Sequence, residues 1–195
     1  MVLDTKIGDG IMKILDVGCG KNKHKSNTDV VIGLDKFQLL GVDVVHDIEV
    51  IPFPFPDNEF DIVICRHLLE HIKPDKFFPF MDEIYRILKP NGIMKVWVPH
   101  ASSMVAYGNP DHKKFFTCSS FTFFGPHTED YYCKARFRII KKRLNYTIID
   151  KVAFLNPIIN PIINIHTGIY EKFLSGILPA DEIYVELQAV KREWF

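Results

Sequence analysis

The sequence predicts an α/β protein built on a mostly parallel sheet. Short apolar runs at residues 12–17, 30–34, 42–45, 60–65 and 93–98 alternate with longer segments of more polar composition. This alternation is typical of strand–helix–strand units. The last two runs are nearly continuous, as strands covered on both faces require. We therefore expect five parallel strands within the first hundred residues.

One long helix is expected between the fourth and fifth strands. Its apolar residues recur at spacings of one, three and four, with charged residues between them: Phe77, Phe78, Met81, Ile84, Tyr85 and Leu88. Pro74-Asp75 marks the start of this helix. Its end is marked by Lys89-Pro90-Asn91-Gly92, where Gly92 is expected to supply the left-handed conformation that terminates helices.

The second half of the chain has a different organisation. Residues 99–133 lack sustained periodicity and are predicted to form a long functional insertion. Partial alternation at 136–149 and 182–190 predicts two final strands. In the connection at 157–178, apolar residues recur every four positions, which predicts a helix lying over the sheet. These residues are Ile165, Ile169, Phe173 and Ile177.

Composition narrows the class of protein. A chain of 195 residues with 47% apolar residues predicts one domain with a buried core. Lys plus Arg and Asp plus Glu both number 24, so the chain has no net charge that would attract nucleic acid or an anionic membrane. The apolar runs are shorter than the roughly 20 residues of a membrane span, and no signal peptide is recognised, so we expect a cytoplasmic protein with no membrane partner. Six basic residues at 134–143 are interpreted as the solvated face of an edge strand, with nucleic-acid contact as the minor alternative.

Cysteine and histidine spacing predicts no metal site. The four cysteines form no C-x-x-C pair, so neither a disulfide framework nor a structural zinc is indicated. His100, Asp111, His112 and His127 are suitable ligand types, but their spacing matches no metal-binding pattern. We therefore assign no metal ligand.

The residues at the predicted strand ends carry the most chemistry. Asp16-Val17-Gly18-Cys19-Gly20 runs from a strand into a glycine turn, where the backbone can approach a ligand closely. Lys23 stands where a nicotinamide fingerprint has glycine or alanine, which disfavours that cofactor. Asp35 lies 17 residues after Gly18, near the offset at which an acidic side chain accepts from ribose hydroxyls. Asp47 ends the third strand; each carboxylate alone has an alternative role as a strand-end cap.

As an ordered set, these residues resemble the class I S-adenosylmethionine-dependent methyltransferases of the small single-domain branch. The resemblance covers about residues 12–98 and includes Asp16-Val17-Gly18-Cys19-Gly20, Asp35 and His46-Asp47-Ile48. It continues through Asp57-Asn58-Glu59-Phe60-Asp61-Ile62-Val63, His67-Leu68-Leu69-Glu70-His71 and Leu88-Lys89-Pro90-Asn91-Gly92. Asn22 departs from the family, many members of which have a third glycine there. The resemblance implies a doubly wound, Rossmann-like sheet of seven strands, mostly parallel, with an antiparallel last strand and lid insertions.

The resemblance also implies the ligand and its contacts. The chain would bind S-adenosylmethionine and release S-adenosylhomocysteine after the reaction. The residues expected to contact the cofactor are Asp16, Gly18, Cys19, Gly20, Asp35, Lys36, Asp47, Ile48, Arg66 and His67. Methyl transfer to a hydroxyl or protonated amine requires removal of a proton. His100, directly after the fifth strand, is the first candidate for this base, and His112 is the second.

We expect residues 1–195 to form one methyltransferase domain with lid insertions at about 99–133 and 151–180. Because the first motif starts at residue 14, the lid that excludes water is expected from these insertions. The expected acceptor is an oxygen or nitrogen atom of a small molecule, possibly related to glycans. Two alternatives stay open: a binding module without catalysis, and a methyltransferase acting on RNA or protein.

Overall fold

A computed structural model describes residues 10–126 and 128–191, which form a seven-stranded sheet. Its strands in chain order are β1 Lys13–Val17, β2 Val30–Asp35, β3 Val44–Val45, β4 Phe60–Arg66, β5 Leu88–Pro99, β6 Phe137–Asn145 and β7 Glu182–Ala189. The spatial order is β3-β2-β1-β4-β5-β7-β6. β1 to β5 are parallel, and β7 runs antiparallel to both β5 and β6. The predicted fold class is confirmed.

The main core lies on one face of this sheet. Strand residues such as Leu15, Val63 and Val96 point to this face, and α1 Pro74–Ile87 packs on it through Phe80, Met81 and Ile84. The other face has a smaller cluster of Ile14, Ile62 and Ile64, with Met12, Val31 and Trp97 packed around it. The chain reverses at the carboxyl edge after β1, β2 and β4, so the predicted cofactor residues meet there.

The end of α1 differs from the prediction. The helix ends at Ile87, and Asn91, with φ of 63°, takes the left-handed conformation expected of Gly92. Gly92 lies at the start of the paired part of β5, where a Cβ would come within 2.9 Å of Lys89 O and 3.2 Å of Asp61 O. A glycine is needed there for close backbone approach and not for its φ.

The helix predicted through Ile165, Ile169, Phe173 and Ile177 does not lie over the sheet. The exposed fractions of these side chains are 82, 53, 64 and 84%. The chain bends by 97° between 150–164 and 167–174, so a repeat of four cannot stay on one face. The first of these segments contains α3 Asn156–Asn164, in which asparagines recur every four positions and face β6. Their side-chain oxygens accept from backbone N–H groups of Thr147, Tyr146 and Leu144, at 3.1, 2.7 and 2.7 Å.

No single helix in the described ranges is long and apolar enough to span a membrane. The bent pair at 150–164 and 167–174 meets that criterion only when both segments are counted together.

β6 is an edge strand, as predicted, and Arg138 and Arg143 are exposed on it. Arg136 is the exception because it is buried just before the strand begins. Its guanidinium donates to the carbonyls of Cys133 and Ala135, both at 2.9 Å, and pairs with Asp130. The six basic residues therefore do not form one continuous solvated face.

Candidate functional site at the carboxyl edge

The glycine turn after β1 is fixed by positive backbone angles and by β2. Gly18 and Gly20 have φ of 67° and 52°, a region that side chains rarely tolerate. Gly18 N donates to Leu34 O at 2.8 Å, and Gly20 N donates to Asp35 Oδ2 at 2.9 Å. A Cβ on Gly20 would meet no atom within 4 Å, whereas one on Gly18 would lie 2.7 Å from Leu68 Cδ1. The turn therefore leaves an open cradle beside Gly20 and is closely packed at Gly18.

Asp35 links this turn to the end of β2. Its other oxygen, Oδ1, accepts from Phe37 N at 3.0 Å, so each carboxylate oxygen already has one donor. A carboxylate oxygen has two lone pairs, so both oxygens can still accept from ligand hydroxyls. Lys36 is exposed next to Asp35, with its ammonium 5.0 Å from the Phe37 ring centroid. These groups fit the ribose end of a nucleoside ligand.

The residues that follow the third strand make fewer contacts in the site than those that follow the first two. Asp47 is exposed, and its Oδ1 accepts from Glu49 N at 2.9 Å, which is the strand-end cap that sequence reasoning left open. Ile48 is half-buried against the main core. Asp47 Oδ2 has no described contact, so this carboxylate can both cap the turn and accept from a ligand amine.

Asp16 is the most deeply buried acid of the turn, at 1% exposure. Its Oδ2 accepts from His24 N and from Arg66 Nη2, both at 2.7 Å, while its buried Oδ1 has no hydrogen-bond partner. Arg66 also donates to Asn22 O at 2.7 Å and thereby ties the end of β4 to the glycine turn. Oδ1 of Asp16 is therefore a buried acceptor without a donor near the carboxyl end of β1, and a ligand donor such as an ammonium group would satisfy it.

His67 follows β4 in a left-handed conformation, with φ of 48°. Its Nε2 lies 3.1 Å from Glu182 Oε1, and its Nδ1 lies 3.6 Å from Glu70 Oε1. Its interactions with the carboxylates of Glu182, first, and of Glu70 raise the pKa of His67 to about 9. The side chain is thus cationic at neutral pH and pairs with acids, while its backbone holds the strained turn.

His100 lies between the two insertions and not in open space. It is 2% exposed, its Nδ1 accepts from Ser102 N at 3.0 Å, and its Nε2 lies 3.3 Å from Glu171 Oε1. Glu171 also accepts from Cys118 N and, at 3.1 Å, from Ser119 Oγ. Both ring nitrogens of His100 are thus engaged, and neither is free to take a proton from an acceptor. Sequence reasoning did not identify Glu171, whose partners come from distant parts of the chain.

His112 has the free nitrogen that His100 lacks. Its Nδ1 bonds Ala106 O at 2.8 Å, which makes Nε2 the unprotonated nitrogen in the neutral ring. The ring lies 4.8 Å from that of His71, centroid to centroid, beside the short turn Leu69–His71 that follows β4. His127, which was also considered as a ligand, lies outside the described residues.

The aromatic residues of the 99–133 insertion divide into core and surface. Phe116, Phe121 and Phe124 are buried. Tyr107 and Phe115 form an exposed stacked pair with centroids 4.5 Å apart, on either side of His112 in the chain. Such a pair can stack on a planar or apolar acceptor group.

The four cysteines are buried free thiols, and we expect native protein at about pH 8 to resist alkylation. Burial and the nearby acids Asp16 and Asp35 raise the pKa of Cys19 to about 11, and burial raises that of Cys118 to about 12. The thiol form, which is a poor nucleophile, therefore dominates. Mass spectrometry after iodoacetamide treatment should find four labels only in denatured protein; rapid labelling of Cys19 in native protein would contradict this.

Comparison with known proteins identifies a domain family and related chains. Residues 15–96 match the family described as a methyltransferase domain. An uncharacterised protein of Methanocaldococcus jannaschii is 33% identical over 47% of this chain and 43% of its own. A tRNA N(3)-cytidine methyltransferase of Gallus gallus is 30% identical over 42% of this chain and 29% of its own. The chain thus spans less than half the length of these relatives.

Solved structures show the same architecture. A SAM-dependent methyltransferase from Archaeoglobus fulgidus superposes with a TM-score of 0.54 at 19% identity, covering 92% of this chain and 86% of that one. The predicted family resemblance is confirmed by the domain match, and S-adenosylmethionine is the cofactor of that family. Residues 15–96 therefore match a methyltransferase-domain family, and the described chain has the fold of solved S-adenosylmethionine-dependent methyltransferases.

Proposed function

We propose that this protein transfers a methyl group from S-adenosylmethionine to an oxygen or nitrogen atom of a small acceptor. The observation that carries the proposal is the open cradle at Gly20, bounded by the Asp35 carboxylate. Asp16, with its unsatisfied Oδ1, lies just before the same glycine turn. Asp35 would accept from the ribose hydroxyls, and Asp47 would accept from the adenine amine. Asp16 would accept from the ammonium of the methionine part.

The chain's part in the reaction is positioning. When bound, S-adenosylmethionine supplies a methyl group on a sulfonium, which is already strongly electrophilic. The protein must hold the acceptor in line with that group and exclude water, which can lower the barrier by several kcal/mol. Glu171 joins the insertions at 99–133 and 151–180, and we propose that together they form the lid. The acceptor would lie near His112 and the Tyr107–Phe115 pair.

Replacement of Asp35 by alanine tests the cofactor half of the proposal. The change removes the acceptor of Gly20 N and Phe37 N and the proposed ribose contact. We expect S-adenosylmethionine to bind at least tenfold more weakly, about 1.4 kcal/mol, in calorimetric titration. Asp75→Ala, in the exposed first turn of α1, is the matched control and should bind like the wild type. Equal affinity of Asp35→Ala and wild type would remove Asp35 from the site.

A turnover assay tests the acceptor half. We expect conversion of cofactor to S-adenosylhomocysteine with a pool of small hydroxylated and amine acceptors, and none with total tRNA. The distribution of basic residues favours this outcome, because Arg136 is buried and β6, which carries Arg138 and Arg143, is separated from β1 and its glycine turn by three strands. Turnover with tRNA would support an RNA methyltransferase, as the Gallus gallus relative is named. Tight cofactor binding without turnover on any acceptor would favour the binding module.

A further inference from the structure

Two histidines and a buried glutamate lie together beside the cofactor turn, and no role described above uses them as a set. Glu70 and His71 come from the short turn after β4, and His112 comes from the 99–133 insertion. One possible ligand atom from each of the three lies within 4.8 Å of the other two. Leu68, two residues before Glu70, is the residue against which Gly18 packs.

The buried carboxylate of Glu70 lacks hydrogen-bond donors. It is 1% exposed, and neither carboxylate oxygen has a hydrogen-bond partner. His67 Nδ1 lies 3.6 Å from Oε1, which is an ion pair without a hydrogen bond. The main-chain oxygen of Glu70, by contrast, accepts from Lys113 N at 2.7 Å and Lys114 N at 3.2 Å. Burial of an incompletely paired carboxylate is costly, and a cation beside it would remove that cost.

The two histidines are oriented as metal-binding histidines are. His71 Nδ1 lies 3.0 Å from Asp111 Oδ2, and His112 Nδ1 lies 2.8 Å from Ala106 O. A carboxylate or carbonyl on one ring nitrogen fixes the tautomer and leaves the other nitrogen for a metal. Nε2 of each ring is therefore the available ligand.

We propose that Glu70, His71 and His112 bind a divalent transition-metal ion, with zinc as the ion that the set fits best. Two histidines and one glutamate are a ligand set of catalytic zinc sites, and they leave a coordination position open. Ligand atoms of tetrahedral zinc lie about 3.4 Å apart. One possible ligand atom of each of the three side chains lies within 4.8 Å of the others, so these atoms must approach by at most about 1.4 Å. This proposal replaces the expectation that the chain holds no metal.

The open position lies at the same edge of the sheet as the proposed methyl donor. A hydroxyl bound to the metal would lose its proton to solvent water more readily, and the resulting alkoxide would take the methyl group as the C–S bond breaks and S-adenosylhomocysteine leaves. The metal would thus do what His100, with both ring nitrogens engaged, cannot do as a base. This second step rests on the proposed function, whereas metal binding itself does not.

Zinc titration of tag-free, chelator-treated protein tests the site. We expect one zinc ion per chain, with affinity at least about 100-fold lower in His112→Ala and in Glu70→Gln. Affinity should be about tenfold lower in Asp111→Asn, which changes the carboxylate beside His71 Nδ1 and Lys113 Nζ but none of the three ligands. His166→Gln removes a histidine that caps the short helix Thr167–Ile169 and should bind zinc like the wild type. Cobalt(II) in the site should give the visible absorption of a four- or five-coordinate ion.

Thermal unfolding and circular dichroism should accompany each variant. If His112→Ala does not fold, Glu70→Gln and His71→Asn decide the question. Failure of the wild type to bind one zinc ion, or wild-type affinity in the ligand variants, would overturn the proposal. A parallel titration with S-adenosylmethionine separates the two claims, because cofactor binding without zinc binding would refute only the metal site.

Discussion

Replacement of Gly18 by alanine should destabilise the protein and weaken S-adenosylmethionine binding at least tenfold. Gly18 has φ of 67°, and an L-residue in that region costs about 1–2 kcal/mol. The new Cβ would also lie 2.7 Å from Leu68 Cδ1, so the segment after β4 would have to move. That segment carries His67, which is predicted to contact the cofactor. Both the free energy of unfolding and the affinity for the cofactor should therefore fall.

Calorimetry and thermal unfolding would measure the two effects separately. A cost of about 1–2 kcal/mol corresponds to roughly 2–8 °C in the melting temperature of a chain of this size. Gly108→Ala is the matched control because nothing lies within 4 Å of its Cβ position. A Gly18→Ala protein with wild-type stability and affinity would contradict both the left-handed conformation of Gly18 and its close packing against Leu68.

Replacement of Glu171 by alanine should lower the free energy of unfolding by about 3 kcal/mol, because it leaves buried donors without an acceptor. His100, Cys118 N and Ser119 all converge on this carboxylate. The melting temperature should fall by about 6–12 °C. Glu171→Gln keeps one acceptor oxygen and should lose less. Urea unfolding gives the free energies; an Ala variant as stable as the wild type would refute the proposed link between the insertions.

This contribution should also depend on pH. Burial alone would raise the pKa of Glu171, but hydrogen bonds from His100, Cys118 N and Ser119 outweigh burial and lower it below 4.5. A lowered pKa in the folded state means that the stabilisation is complete above the ordinary pKa and is lost as the pH falls through the lowered one. The stability difference between wild type and Glu171→Gln should therefore shrink on going from pH 7 to pH 3. An unchanged difference would contradict the assigned pKa direction.

Local signals in the sequence predicted the sheet and the positions of its first strand ends well. The first three strands are short apolar runs closed by glycine or aspartate, so their carboxyl ends could be located one by one. Asp35 and Gly20 are brought together by the parallel pairing of β1 and β2, which follows from the predicted topology. Where neighbouring elements determine the contact, pattern alone was sufficient.

Contacts between distant segments were not predictable in this way. His71 and His112 are 41 residues apart, so no spacing rule for metal ligands applies to them. The four-residue spacing of Ile165 and Ile169 predicts a helix lying over the sheet, but a 97° bend in the chain leaves both side chains exposed. The asparagines of α3 repeat with the same spacing and do face β6, through hydrogen bonds that a search for apolar periodicity does not detect.

The central claim is that the carboxyl edge around Gly20 and Asp35 binds S-adenosylmethionine. Calorimetric titration of ligand-free wild-type protein with the cofactor and with S-adenosylhomocysteine tests it most directly. We predict one site per chain with micromolar or tighter affinity for both ligands. Absence of binding in protein shown to be folded would contradict the claim and leave the glycine turn with a role in the fold alone.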